Sequence, residues 1–233
     1  KTINVPIIDN GAVNTARTFT VTLSGAVGAT LGTPASTTVT ITDDDNTLQF
    51  SAATATVAEG TATLNITVTR LGGAAAIASV DWATADGTAL SGSDFGAQGV
   101  AVPLTGTLNW GAGDAASKMI AIPILNDLVV EGAKTFTVNL SNVAGTGASI
   151  GTNATITVTI NDNDAGVVLS AANYNVSETG GTVTITANRI GPATAAATVT
   201  WTTSNGTATA GTDFGTSGSG VQRTGTITWT AGT

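Results

Sequence analysis

The sequence predicts an all-β chain of tandem two-layered sandwiches, and three observations carry the prediction. Apolar residues alternate with Thr or Asn at a period of two in several stretches, so one face of each belongs in a core and the other in water. Ala, Thr, Gly, Ser and Val dominate the 233 residues, of which 42% are hydrophobic and 9% charged, and Leu-rich helical stretches are missing. The third observation is internal repetition. Moved by 119 positions, "VDWATADGTA" from Val80 falls on "VTWTTSNGTA" from Val199, "SGSDF" from Ser91 on "AGTDF" from Ala210, and "TGTLNW" from Thr105 on "TGTITW" from Thr224.

The beginning of the chain repeats as well. "VPIIDN" from Val5 matches "IPILND" from Ile122 and "TFTVTL" from Thr18 matches "TFTVNL" from Thr135, now at a shift of 117; the two-residue difference falls in the loop after Ser24 or Ser141. The four tryptophans pair, Trp82 with Trp201 and Trp110 with Trp229. One complete unit, 46–164, is therefore preceded by the C-terminal part of another, 1–45, and followed by the N-terminal part of a third, 165–233. Both parts are opened at the same internal loop. Two explanations stand: an arbitrary fragment boundary, or the repeating block of a longer array or fibre whose partial ends are completed by neighbouring copies. The start at Lys1, without initiator Met or signal segment, reads as an internal or processed piece.

Within the complete unit the strands follow in order. Leu64, Ile66 and Val68 alternate with Asn65, Thr67 and Thr69. The period recurs at Ile120, Ile122 and Ile124, at Phe136, Val138 and Leu140, and at Ile156, Val158 and Ile160. Breaks at Gly72–Gly73, Gly87, Gly92, Gly111–Gly113, Gly132 and 145–151 divide the unit into about seven strands, the number of an immunoglobulin-like Greek-key sandwich. Pro123 removes a ladder donor, so its strand belongs at an edge or a bulge. The tryptophans read as core.

Composition excludes whole classes of function. A net charge of -8 with seven Lys and Arg argues against a nucleic-acid partner. The absence of Cys and His removes disulfides, thiolate chemistry, zinc sites and Ser-His-Asp catalysis. No apolar run reaches the length of a membrane span. The remaining chemistry is carried by acids. Glu59 sits at the break between the first two strands, Asp86 in "ADGTA", Asp127 and Glu131 in "NDLVVEG", and Asp162 and Asp164 at the end of the unit. A seven-strand count sends all six to one pole. Six carboxylates at one tip repel one another unless a cation sits among them, and flexible oxygen donors without nitrogen or sulfur suit Ca²⁺ better than Mg²⁺. For any single acid, turn formation is the better explanation, and convergence of several is what points to a cation. Asp94 and Asp213 read as turn caps leading to Phe95 and Phe214, and Asp81 and Asp114 as solvated. No EF-hand loop or Gly/Asp nonapeptide is present.

Taken together, "VAEGTATLNITVTRLGG" from Val57, "ATADGTALSGSDF" from Ala83, "TGTLNWGAGDAASKMIAIPILND" from Thr105, "VEGAKTFTVNLSN" from Val130 and "ATITVTINDND" from Ala154 resemble the Calx-β family of exchanger regulatory loops and large bacterial surface proteins. The resemblance implies an immunoglobulin-like sandwich binding Ca²⁺ at one tip, near the junction to the next domain, through Glu59, Asp86, Asp127, Glu131, Asp162 and Asp164. Asn126, Lys134 and Asn163 stand where calcium-regulated members carry acids, with Lys134 replacing part of a cation site. The flanking parts offer weaker sets, Asp9, Asp43, Asp44 and Asp45 in the first and Glu178 in the third, where Asn205 replaces the turn acid.

The expected function is a structural repeat module of an extracellular bacterial tandem array, a stalk, adhesin or surface filament, with Ca²⁺ at inter-repeat junctions. The expected partners are neighbouring repeats or copies of the chain, end to end. The alternative is an adhesive domain for carbohydrate or a host protein. An enzyme using paired carboxylates is not expected, because turns and cation ligation explain the acids.

Overall fold

A computed structural model describes residues 1–233. It contains fifteen strands, β1 (Arg17–Thr22), β2 (Ser36–Ile41), β3 (Asn46–Phe50), β4 (Thr54–Ala58), β5 (Thr63–Gly72), β6 (Ala78–Ala85), β7 (Thr105–Trp110), β8 (Lys118–Pro123), β9 (Lys134–Ala144), β10 (Ala148–Ile150), β11 (Thr155–Asn161), β12 (Gly166–Leu169), β13 (Ala187–Ile190), β14 (Ala197–Thr202) and β15 (Thr224–Trp229), with one 3₁₀ turn at Glu178–Gly180. Two compact units divide them: Lys1–Asn126 with Ala133–Asn161, and Asp127–Gly132 with Asp162–Thr233.

In the first unit a four-stranded sheet, β10-β3-β5-β8, faces a five-stranded sheet, β4-β11-β9-β6-β7. Their inner faces supply one core. Leu48, Phe50, Ile66, Val68, Ile120 and Ile122 come from the first sheet, and Val80, Trp110, Phe136, Val138, Ile156, Val158 and Ile160 from the second. This is the two-sheet β-sandwich that the alternating residues require. Nine strand segments trace seven paths, because the first and last strands each cross from one sheet to the other. β3 pairs with β5 while its continuation β4 runs parallel to β11; β10 runs parallel to β3 while β11 pairs antiparallel with β9. Pro123 ends β8, which is an edge strand, where its missing N–H costs the sheet nothing.

Phe95 enters the same core from the loop between β6 and β7. Asp94 accepts the Leu90 N–H at 2.7 Å, closing a tight turn, and the next residue stacks on Phe136 with ring centroids 4.1 Å apart. The turn-cap expectation for Asp94 holds, and Asp213 makes the same bond to the Thr209 N–H at 2.8 Å. The unit also contains the hairpin β1-β2. The second unit contains two separate pairs, β12-β13 and β14-β15, together with the loop 127–132.

Candidate metal centre

The acids occupy strand exits and the loops beside them. Glu59 follows β4, is buried, and donates its backbone N–H to the carbonyl of Asn161 at the end of β11. Beyond β11, Asp162 is fixed twice: one carboxylate oxygen accepts the Glu131 N–H at 2.7 Å and the other accepts the Asp164 N–H at 2.9 Å. Asp127 accepts the Val129 N–H at 2.7 Å, which folds the loop back on itself. Asp164 differs from these. Its Oδ2 is buried and accepts no hydrogen bond. Burial, then the charges of Asp162 and Asp127, push its carboxyl above the usual carboxylate value.

Glu59, Asp127 and Asp164 can each place one oxygen within 4.8 Å of the others. An all-oxygen donor set with a buried, unsatisfied carboxylate oxygen fits a hard cation, whose charge offsets both the desolvation and the repulsion. Asp162 supports this group through the loop backbone. The other expected ligands lie outside this group of three and make contacts of their own. Asp86 accepts the Ser91 N–H at 3.0 Å and the Ser91 hydroxyl at 3.3 Å, which pins the start of the β6–β7 loop. Glu131 contributes its backbone N–H to Asp162. Lys134 forms an ion pair with Asp94 at 2.7 Å, a contact that the sequence did not disclose because forty positions separate the residues. Asp81 and Asp114, expected to be solvated, are engaged instead. Asp81 accepts from Thr107 and Asn142, and Asp114 pairs with Lys118 at 2.9 Å, because strand pairing and a tight turn bring these donors alongside.

The exit of the first repeat reproduces part of this arrangement. Asp43, the counterpart of Asp162, accepts the N–H of Asn14, the counterpart of Glu131, at 2.8 Å. Asp9 accepts the Gly11 N–H at 3.1 Å. Asp45 is buried, and desolvation followed by Asp9, Asp43 and Asp44 raises its carboxyl. These acids line a cleft of about 200 Å³ that also contains Arg17, which donates to Asn14. At both exits a glycine of the next repeat admits the chain. A Cβ on Gly72 (φ 91°) would lie 2.5 Å from the Asp45 carbonyl and 2.6 Å from Val13; Gly191 (φ 80°) meets the Asp164 carbonyl and Val130 in the same way. Glu178, the counterpart of Glu59, is exposed on the 3₁₀ turn.

A repeated β-sandwich with oxygen ligands at its strand exits defines a class of cation-binding tandem domains. The chain belongs to the Calx-beta domain family, which matches residues 1–45, 42–164 and 161–221. Calx-beta domains are Ca²⁺-binding domains. Among solved structures, the chain is similar to the apo form of the Calx CBD1 domain (29% identity, 52% of this chain and 99% of that one, TM-score 0.47) and to CBD12 from CALX1.2 (25% identity, 79% and 71%, TM-score 0.49). It is also similar to the calcium binding domain CBD12 of CALX1.1 (22% identity, 66% and 54%, TM-score 0.46). No curated protein matches.

Proposed function

We propose that the chain is a structural Ca²⁺-binding module of an extracellular bacterial tandem-repeat protein, in which the ion stiffens the exit from each sandwich. Asp164 carries the reading: a buried carboxylate oxygen without a hydrogen-bond partner, next to Asp162 and Asp127 and among all-oxygen donors, is costly unless a cation completes it. Asp164, Asp127 and Glu59 supply the ligands, and Asp162 orients the loop. Asn126 and Asn163 lower the charge of the set, which favours a constitutive structural ion over a finely tuned sensor. The low charge and Thr-rich strands support a surface location.

Thermal unfolding in chelator and in millimolar Ca²⁺ tests the metal. A ligand present at a hundred times its dissociation constant stabilises by about 2.7 kcal/mol, so an upward shift of several degrees is expected, with a smaller one for Mg²⁺. Identical curves in chelator and Ca²⁺ remove the proposal. Labelling of intact source cells with an antibody against the chain tests the location, which labelling only after lysis would exclude.

A further inference from the structure

The chain contains two Asn-Gly dipeptides, Asn10–Gly11 and Asn205–Gly206. Asparagine is thermolabile because the amide nitrogen of the following residue can close a five-membered ring on its side chain, and a following glycine leaves that nitrogen unhindered. A Cβ on either Gly11 or Gly206 would meet nothing within 4 Å. The two sites differ in the group that faces the nucleophile. The Gly11 N–H donates to the Asp9 carboxylate at 3.1 Å, whereas the Gly206 N–H donates to the Ala208 carbonyl at 3.2 Å.

At Asn10 the electrophile is prepared as well. Its Oδ1 accepts the Ala12 N–H at 3.0 Å and Asn14 Nδ2 at 3.1 Å, so two donors face the oxygen on which charge develops when the side-chain carbonyl is attacked. Asn14 is held in turn: its N–H donates to Asp43 at 2.8 Å, and its Oδ1 accepts from Arg17. All these contacts lie within residues 9–17 and the strand exit at Asp43. The complete repeat contains the same loop with its other half in place, and there too it is open to water. Asp127, Leu128 and Val129, the counterparts of Asn10, Gly11 and Ala12, are exposed, and Asp127 accepts the Val129 N–H in the same turn. The exposure therefore belongs to the loop itself.

We infer that Asn10 is a self-modification site, at which Gly11 converts the side-chain amide into a carboxylate through a succinimide, with Asp9 as general base. The Gly11 nitrogen bonds to Asn10 Cγ while its proton passes to Asp9. The oxyanion, held by Ala12 and Asn14, collapses; the Cγ–Nδ2 bond breaks, and Nδ2 takes the proton back from Asp9 and leaves as ammonia. Water then opens the ring. Addition at Cγ gives aspartate and addition at the backbone carbonyl gives isoaspartate, so in either case one water is consumed and one ammonia released. Asn10 lines the cleft that contains Asp43, Asp44 and Asp45, and it occupies the place of Asp127 in the complete repeat. The modification thus adds at the first exit the acid that the second exit encodes. Its use as a cation ligand rests on the Ca²⁺ reading, whereas the modification itself does not.

Peptide mapping by mass spectrometry of the full chain, incubated in chelator at physiological temperature, tests the inference, with Asn205 as comparator in the same sample. A gain of about one mass unit is expected at Asn10 several-fold faster than at Asn205, whose nucleophile faces no carboxylate. Asp9→Asn keeps a hydrogen-bond acceptor and removes the base. It is expected to slow Asn10 several-fold, to leave Asn205 unchanged, and to make the Asn10 rate rise in proportion to hydroxide where the wild-type rate rises less steeply. Chelator keeps the result apart from the calcium reading, whose failure would leave these rates as they are. An Asn10 that reacts no faster than Asn205, or that keeps its rate and pH dependence after Asp9→Asn, overturns the inference.

Discussion

Lys134 and Asp94 form an ion pair at 2.7 Å with side chains 26% and 9% exposed. Asp94 also holds the Leu90 N–H, so Asp94→Asn keeps an acceptor for the turn but removes the charge that faces the Lys134 ammonium. A fully buried pair loses several kcal/mol when one charge is removed; Lys134 retains some water, so about 1–2 kcal/mol is expected from denaturant unfolding. The carboxylates also set an acid profile. Hydrogen bonds from Thr107 and Asn142 hold Asp81 below its usual value, and the Lys118 hydrogen bond does the same for Asp114. Their folded values are depressed, so the stability they contribute is complete above the ordinary carboxylate value of 3.8 and is lost as pH falls through the lower folded values. Asp45 has the opposite sign. Its folded value is raised, so protonation favours the folded chain, and stability is lost as pH rises from 3.8 through that raised value. Melting temperatures across this range are therefore expected to fall less steeply on the acid side in Asp81→Asn, and less steeply on the side above 3.8 in Asp45→Asn in chelator. An unchanged acid limb in Asp81→Asn would show that its two hydrogen bonds contribute nothing in solution.

At the scale of the strand pair, a glycine opposite a tryptophan repeats in the structure. Trp82 lies over Gly106, where a Cβ would meet the indole at 2.8 Å, and Trp201 lies over Gly225, where the distance is 2.7 Å. In the complete repeat Trp82 is half-buried against the core, whereas Trp201 is 41% exposed. Gly106→Val is expected to cost on the order of 1–3 kcal/mol, because the enclosed indole cannot move aside; Gly225→Val is expected to cost much less in the isolated chain. Equal losses at both sites would mean that Trp201 is as confined as Trp82. The pairing of Trp82 with Trp201, the strand faces and the edge position of Pro123 were all legible in the sequence, because period two reports which face is apolar and proline reports a missing donor. The crossing of the first and last strands between sheets was not legible. Alternation says which face of Leu48, Phe50 and Val57 is inside, but not which neighbour receives the backbone bonds on either side of Ser51–Ala53, where no Gly or Pro marks the break. The candidate centre was partly legible for a similar reason. Register brought Glu59, Asp127 and Asp164 into one set, yet an acid that forms a turn and an acid that offers a ligand look alike in sequence. Asp86 accepts from Ser91 five residues on, and the Glu131 N–H holds Asp162, contacts that no side-chain pattern encodes.

Across the whole molecule, stability is distributed unevenly. The complete repeat has a core enclosed by two sheets, including Phe50, Val68, Val80, Phe136 and Val158 at 0% exposure. The β12-β13 and β14-β15 pairs are two-stranded and bury almost no apolar side chain, and such pairs are marginal on their own. Amide exchange in dilute protein should therefore separate the chain into two classes. Amides of β5, β6, β9 and β11 are expected to exchange only through opening of the whole sandwich, whereas those of β13 and β14 exchange through local openings that cost little. Ca²⁺ acts elsewhere in this scheme. By completing Asp164 it should slow exchange in the 127–132 loop and at 162–164 at any protein concentration. Protection of β13 and β14 already complete in dilute protein would contradict this division of stability, because it would require those strands to hold without a covering half.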